Sequence, residues 1–184
     1  MTDITRILNA IEQGNTQAAD ELLPLVYEEL RLLAAQKLSH EQPGQTLQAT
    51  ALVHEAYLRL VGSEDQNWDN KGHYFKAAAE AMRRILIENA RRKKSSKHGG
   101  SRKKIDLDEA ILTVGDRVPP EIIIALDEAL EKLSSRDKIK ADVVRLRYFA
   151  GLTSEQAAEI LKISPTTAKR YWIYSRAWLL REIS

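Results

Sequence analysis

The residues best equipped for chemistry in this chain are His54-Glu55, the pair that opens a zinc-protease helix. In that motif a second histidine stands four residues after the first and completes the metal site on one helix face. Position 58 is leucine, so the second ligand is missing. The remaining histidines, His40, His73 and His98, fall in turns or in a basic stretch and lack ligand spacing. No cysteine occurs in the 184 residues, which excludes disulfides, thiolate metal sites and cysteine nucleophiles together. A Walker loop and a Gly-x-Ser-x-Gly elbow are both missing as well. These residue types predict a protein that is not an enzyme and holds no metal and no cofactor.

The chemistry that remains is that of charge. A formal net charge of +2 conceals a polarised chain. Residues 1 to 70 hold 11 acids and 4 bases, whereas residues 71 to 104 hold 12 bases and 2 acids. Residues 105 to 134 return to 8 acids and 2 bases, and residues 135 to 184 to 10 bases and 5 acids. Two basic blocks alternating with two acidic ones predict two separate contacts with a polyanion.

The second basic block contains the most specific local pattern. Thr153-Ser154-Glu155-Gln156 is a capping box, a hydroxyl N-cap followed three residues later by Gln, and it opens a short helix that buries Ala157, Ala158 and Leu161. Ser164-Pro165 then supplies another N-cap with proline at the first helical position, where a missing N–H costs nothing. Two helices joined by so short a turn predict a helix-turn-helix. On the second helix Ala168, Tyr171, Trp172, Ser175, Trp178 and Leu179 share the inner face. Thr166, Lys169, Arg170, Ile173 and Tyr174 lie on or near the outer one, which suits a DNA major groove. Ser164, Thr166 and Thr167 sit where first-turn N–H groups point outward to phosphates or base edges.

Positioning these groups falls to helices throughout. Apolar residues recur at three and four from residue 3 to 92, and the spacing predicts helices over Asp3–Gln13, Asn15–Ser39, Thr46–Val61 and His73–Arg92. Turn signals lie in Gln42-Pro43-Gly44 and from Asn67 to Gly72. Residues 93 to 119 break the periodicity with Ser95-Ser96, Gly99-Gly100 and Pro119-Pro120, and include KKSSKHGGSRKK, which cannot build a core. Helical periodicity returns after Pro120. The predicted fold is therefore all-α: a helical domain over 1–92, a flexible basic linker over 93–119 and a second helical domain over 120–184 that carries the helix-turn-helix. No apolar run is long enough to span a membrane and the first residues carry acids rather than a signal peptide, so a cytoplasmic location is expected.

GLTSEQAAEILKISPTTAKRYWIYSRAWL, residues 151 to 179, resembles the C-terminal domain of extracytoplasmic-function (ECF) sigma factors, in which this motif reads the upstream promoter element. ALVHEAYLRL (51 to 60) is similar to the polymerase-binding helix of that family, and HYFKAAAEAMRRILIENARRKK (73 to 94) to the helix used on the downstream element. The resemblance covers both predicted domains and the linker, in the family's order. It implies a sigma factor that binds core RNA polymerase, recognises two promoter elements and helps open the DNA. Upstream contacts would come from Ser164, Thr166, Thr167, Lys169, Arg170, Ile173 and Tyr174. Downstream contacts would come from Lys76, Arg84, Asn89, Arg91 and Arg92, with Trp68 stacking on a flipped base. His54, Glu55, Leu58 and Arg59 would face the polymerase. The implied partners are core RNA polymerase and promoter DNA, with an anti-sigma factor as a further candidate. Ala51 and His54 stand where the family usually has an acid and a glutamine, and Tyr171 and Tyr174 where arginines are common.

The alternative is a conventional helix-turn-helix regulator whose residues 1 to 92 form an interaction domain. Such a protein would bind duplex DNA without core polymerase and would start no transcripts.

Overall fold

A computed structural model describes residues 3–40, 52–57, 68–96 and 120–184, and every regular element among them is an α-helix. The helices of the first half are α1 (Asp3–Glu12), α2 (Thr16–His40), α3 (52–57) and α4 (Trp68–Ser96). Gly14 links the first pair at φ +91, a left-handed conformation that side chains disfavour. Asn15 then caps α2, its Oδ1 accepting from the Gln17 N–H at 3.0 Å. The inward residues Leu22, Val26, Leu30 and Leu33 of α2 follow one another at intervals of four, four and three, a single helical stripe. Pro24 lies on the exposed side of α2, where the carbonyl deprived of an N–H partner can be hydrated.

An aromatic cluster fastens α3 to α4. The Tyr57 ring meets that of Tyr74 edge-on at 4.9 Å and stacks on Phe75 at 6.1 Å. The Tyr74 hydroxyl donates to the Val53 carbonyl at 2.9 Å, and burial pushes its phenol far above the ordinary value, so it stays protonated. The spacing predicts α4 over His73–Arg92, with a turn from Asn67 to Gly72; the helix instead runs from Trp68 to Ser96. At its head, helix propensity is overridden by tertiary contact. Gly72 is buried beside the Ile160 side chain, which lies at an ordinary contact distance of 3.7 Å from where a Cβ would stand, a neighbour that turn statistics cannot foresee. At its tail the helix continues through Lys93 and Lys94, residue types with good helix propensity. Of the helix expected over Thr46–Val61, only 52–57 is among the described residues.

The second half holds α5 (Pro120–Arg136), α6 (Lys138–Tyr148), α7 (Ser154–Leu161) and α8 (Pro165–Ile183). Asp137 alone separates α5 from α6 and caps the latter, its side chain accepting from the Lys140 N–H at 3.2 Å. Arg145 of α6 reaches back to Glu131 of α5 at 3.0 Å, and Lys132 of α5 pairs with Glu182 of α8 at 2.9 Å. Leu126, Leu130, Leu133, Val144, Leu146 and Leu179 are among the residues buried between these helices. After α6 the chain turns at Gly151, φ +71, and the Leu152 N–H returns to the Leu146 carbonyl at 3.1 Å.

Helix α4 packs against α2 and also against α5. Ala79, Arg83, Ile87 and Ala90 recur at four, four and three along it, and Arg83 donates from Nη1 to Asp127 of α5 at 3.0 Å. That stripe therefore marks the side of α4 that α5 covers. The same guanidinium holds Glu80 through Nε at 3.1 Å.

Candidate nucleic-acid interface

The geometry of α7 and α8 follows from local hydrogen bonding. Thr153 accepts from the Gln156 N–H at 3.2 Å, and the Gln156 side chain accepts from the Thr153 N–H at 3.0 Å, a reciprocal capping box. Helix α7 ends on Lys162, which adopts the left-handed conformation (φ 57, ψ 44). The next N–H, that of Ile163, bonds to the Ala158 carbonyl at 3.0 Å, so the chain reverses at once. Ser164 then caps α8, accepting from the Thr167 N–H at 3.1 Å, with Pro165 as the first helical residue. Three residues, Lys162 to Ser164, suffice to join the two helices.

Helix α8 has two distinct sides. Ala168, Trp172, Ser175 and Leu179 are buried, and Tyr171 and Trp178 pack partly into the core. The guanidinium of Arg147 lies 4.2 Å from the centre of the Trp172 ring, and burial lowers it from its ordinary value. On the outer side Thr166, Lys169, Arg170, Ile173 and Tyr174 are exposed. Ile173 is 68% exposed, the most open of the large apolar side chains among the described residues.

The expected upstream set thus lies along α8 and at its N-cap, Ser164, although its members differ in freedom. Ser164 donates its hydroxyl to Thr167 Oγ1 at 2.8 Å, so these two are engaged with each other in the cap. Lys169 Nζ is 2.9 Å from Oε1 of Glu155 on α7, and that hydrogen bond holds the Glu155 carboxyl below its ordinary value. The Tyr174 ring lies 4.2 Å from the ammonium of Lys140, which also neighbours Tyr171 at 5.3 Å.

The expected downstream residues lie along α4. Lys76, Arg84, Arg91 and Arg92 are exposed and Asn89 is half-buried. Acids interrupt this basic edge: Arg84 pairs with Glu80 at 3.1 Å, and Glu88 accepts from the Tyr27 hydroxyl at 2.8 Å. Trp68 is the first residue of α4, and its side chain lies outside the described residues. Of the expected polymerase-facing group, His54 is exposed with its ring edge-on to Phe75 at 5.9 Å, and Glu55 is half-buried. Leu58 and Arg59 lie outside the described residues.

Sequence reasoning missed Arg83, Lys140, Arg147 and Glu155, each of which acts across helices. Glu155 carried one signal, an acid in the first turn of a capped helix, but no spacing rule brings it to Lys169.

No described helix is long and apolar enough to cross a membrane. Among the described residues the class is that of an all-helical protein, and α8 exposes cations beside apolar and hydroxyl groups. A family model described as ECF sigma factor matches residues 1–184. The chain belongs to the ECF sigma factor family, a non-enzymatic family of transcription initiation whose partners are core RNA polymerase and promoter DNA. Comparison with curated proteins and with solved structures returned no match.

Proposed function

We propose that this sigma factor reads an upstream promoter element with α7 and α8 acting as a helix-turn-helix, α8 entering the major groove. The observation that carries the proposal is the two-sidedness of α8: Trp172 and Leu179 are buried, while Thr166, Lys169, Arg170, Ile173 and Tyr174 are exposed together. Lys169 and Arg170 supply charge and hydrogen-bond donors. In the first turn of α8 Pro165 has no N–H and the Thr167 N–H is bonded to Ser164, so the exposed Thr166 is the residue there that offers polar groups to a phosphate.

In the same proposal residues 1–92 and 120–184 are separate working domains tied by 93–119. The α4 edge with Lys76, Arg84, Asn89, Arg91 and Arg92 grips the downstream element, and Trp68 stacks on a flipped base. His54, Glu55, Leu58 and Arg59 face core polymerase, and an anti-sigma factor is a further partner. The protein works in the cytoplasm, where its template is.

Two double variants test the division of labour. Lys169→Ala with Arg170→Ala should weaken upstream-element binding and spare core binding, reducing the log–log salt slope by about two if both cations neutralise phosphates. Glu55→Ala with Arg59→Ala should weaken core binding and spare DNA binding by α8. Equal promoter affinity in the first variant removes α8 as the reader, and unchanged core affinity in the second removes α3 as the polymerase surface.

A further inference from the structure

We infer that Ile173 is a specificity residue that contacts the C5-methyl group of a thymine in the upstream element. This rests on the proposal that α8 enters the major groove. Ile173 is 68% exposed on the outer side of α8, so most of its hydrocarbon contributes nothing to folding. A β-branched residue is also a weaker helix former than alanine, so its local cost is set against only a small return within the monomer. Lys169 and Arg170, one turn before it on the same side, are exposed cations. A surface that offers two cations beside a bare apolar group fits a polyanion that itself presents an apolar group. The thymine methyl is that group in the major groove, and apolar side chains are its usual contacts.

Tyr174 is the other exposed apolar candidate on this side, but the ammonium of Lys140 lies 4.2 Å from the centre of its ring. One face of that ring is therefore occupied. Ile173 has no comparable cover. A helix rises about 1.5 Å per residue, which places Ile173 about 6 Å along the axis from Lys169 and about 4.5 Å from Arg170. With base pairs stacked at about 3.4 Å, the thymine falls within one or two pairs of those nearest these cations.

The test uses the full chain bound to core polymerase. Duplexes selected by this holoenzyme from a randomised pool define the upstream element, and each thymine in it is then replaced by deoxyuridine, which removes only the methyl. The expected result is one position where the wild type binds about fourfold more weakly without the methyl, the value for burying one carbon. Ile173→Ala should bind both duplexes equally, at the level of the wild type on the uracil duplex. The exposed site makes this variant safe to fold, since alanine is the better helix former. Retention of the methyl effect in Ile173→Ala, or no methyl effect at any thymine, overturns the inference. A loss of core binding by Ile173→Ala without DNA also overturns it, assigning the side chain to a protein contact. If Lys169→Ala with Arg170→Ala still weakens upstream binding in the same assay, α8 remains the reader and only the role of Ile173 has failed.

Discussion

The Nζ atom of Lys169 lies 2.9 Å from Oε1 of Glu155, so a carboxylate at the start of α7 holds a cation at the centre of the outer side of α8. Both side chains are more than half exposed, which makes the pair weak as a source of stability. Its importance under the proposed reading is electrostatic: the lysine proposed to meet DNA is already partly neutralised, beside an anion that a phosphate would have to approach.

Glu155→Gln should therefore tighten promoter binding. Lys169 is released and one negative charge leaves the interface, so the log–log salt slope should steepen by about 0.9 if the freed lysine gains a phosphate. Thermal midpoint should scarcely move. Titrations across a salt series check this, and weaker binding by Glu155→Gln would mean that the pair orients Lys169 for its contact.

The cap residues of this region were legible in the sequence. Thr153 with Gln156, and Ser164 with Pro165, fix the starts of α7 and α8 by local hydrogen bonds that depend on residues three apart. The buried side of α8 was legible for a similar reason, because Ala168, Trp172, Ser175 and Leu179 share one face at helical spacing. What could not be read is tertiary. Gly72 looks like a turn signal until Ile160 is found against it, and Arg83 meets an acid 44 residues away. The left-handed Lys162 was equally hidden, since glycine is the usual residue there.

Lys162→Gly should raise stability by roughly 0.5–1 kcal/mol, because the present φ of +57 strains an L-residue and glycine adopts it freely. Part of that relief is offset by glycine's greater entropy in the unfolded chain. Urea unfolding monitored by circular dichroism measures the difference. Lower stability in the variant would show that the lysine side chain contributes more than its backbone strain costs.

Arg83 and Asp127 should respond unequally to mutation. Arg83→Ala leaves the largely buried Asp127 without its cation and should cost roughly 1–3 kcal/mol. Asp127→Asn keeps a polar group of the same shape and should cost less than about 1 kcal/mol. Unfolding titrations of both single variants and the double variant separate the pair from its surroundings. A larger loss in Asp127→Asn than in Arg83→Ala would contradict this order.

The same carboxyl gives a pH dependence of definite sign. Burial raises Asp127 above its ordinary value, against the opposing pull of Arg83. A carboxyl raised by folding contributes stability that is fully present below its unfolded pKa, about 3.9, and is lost as pH rises through the folded value. The stability of the wild type relative to Asp127→Asn should therefore fall as pH climbs from about 3 through that value. A relative stability that grows with pH would show that attraction to Arg83 outweighs the cost of burying the charge.

The central claim is that this chain, through the exposed side of α8, directs core polymerase to promoters. Reconstituted transcription on templates carrying selected promoters tests it most directly. The account predicts defined transcript starts only when the chain and core are both present, and their loss with Lys169→Ala and Arg170→Ala even though that variant still binds core. Full promoter-specific initiation by the double variant, or no initiation by the wild type bound to core, would contradict it.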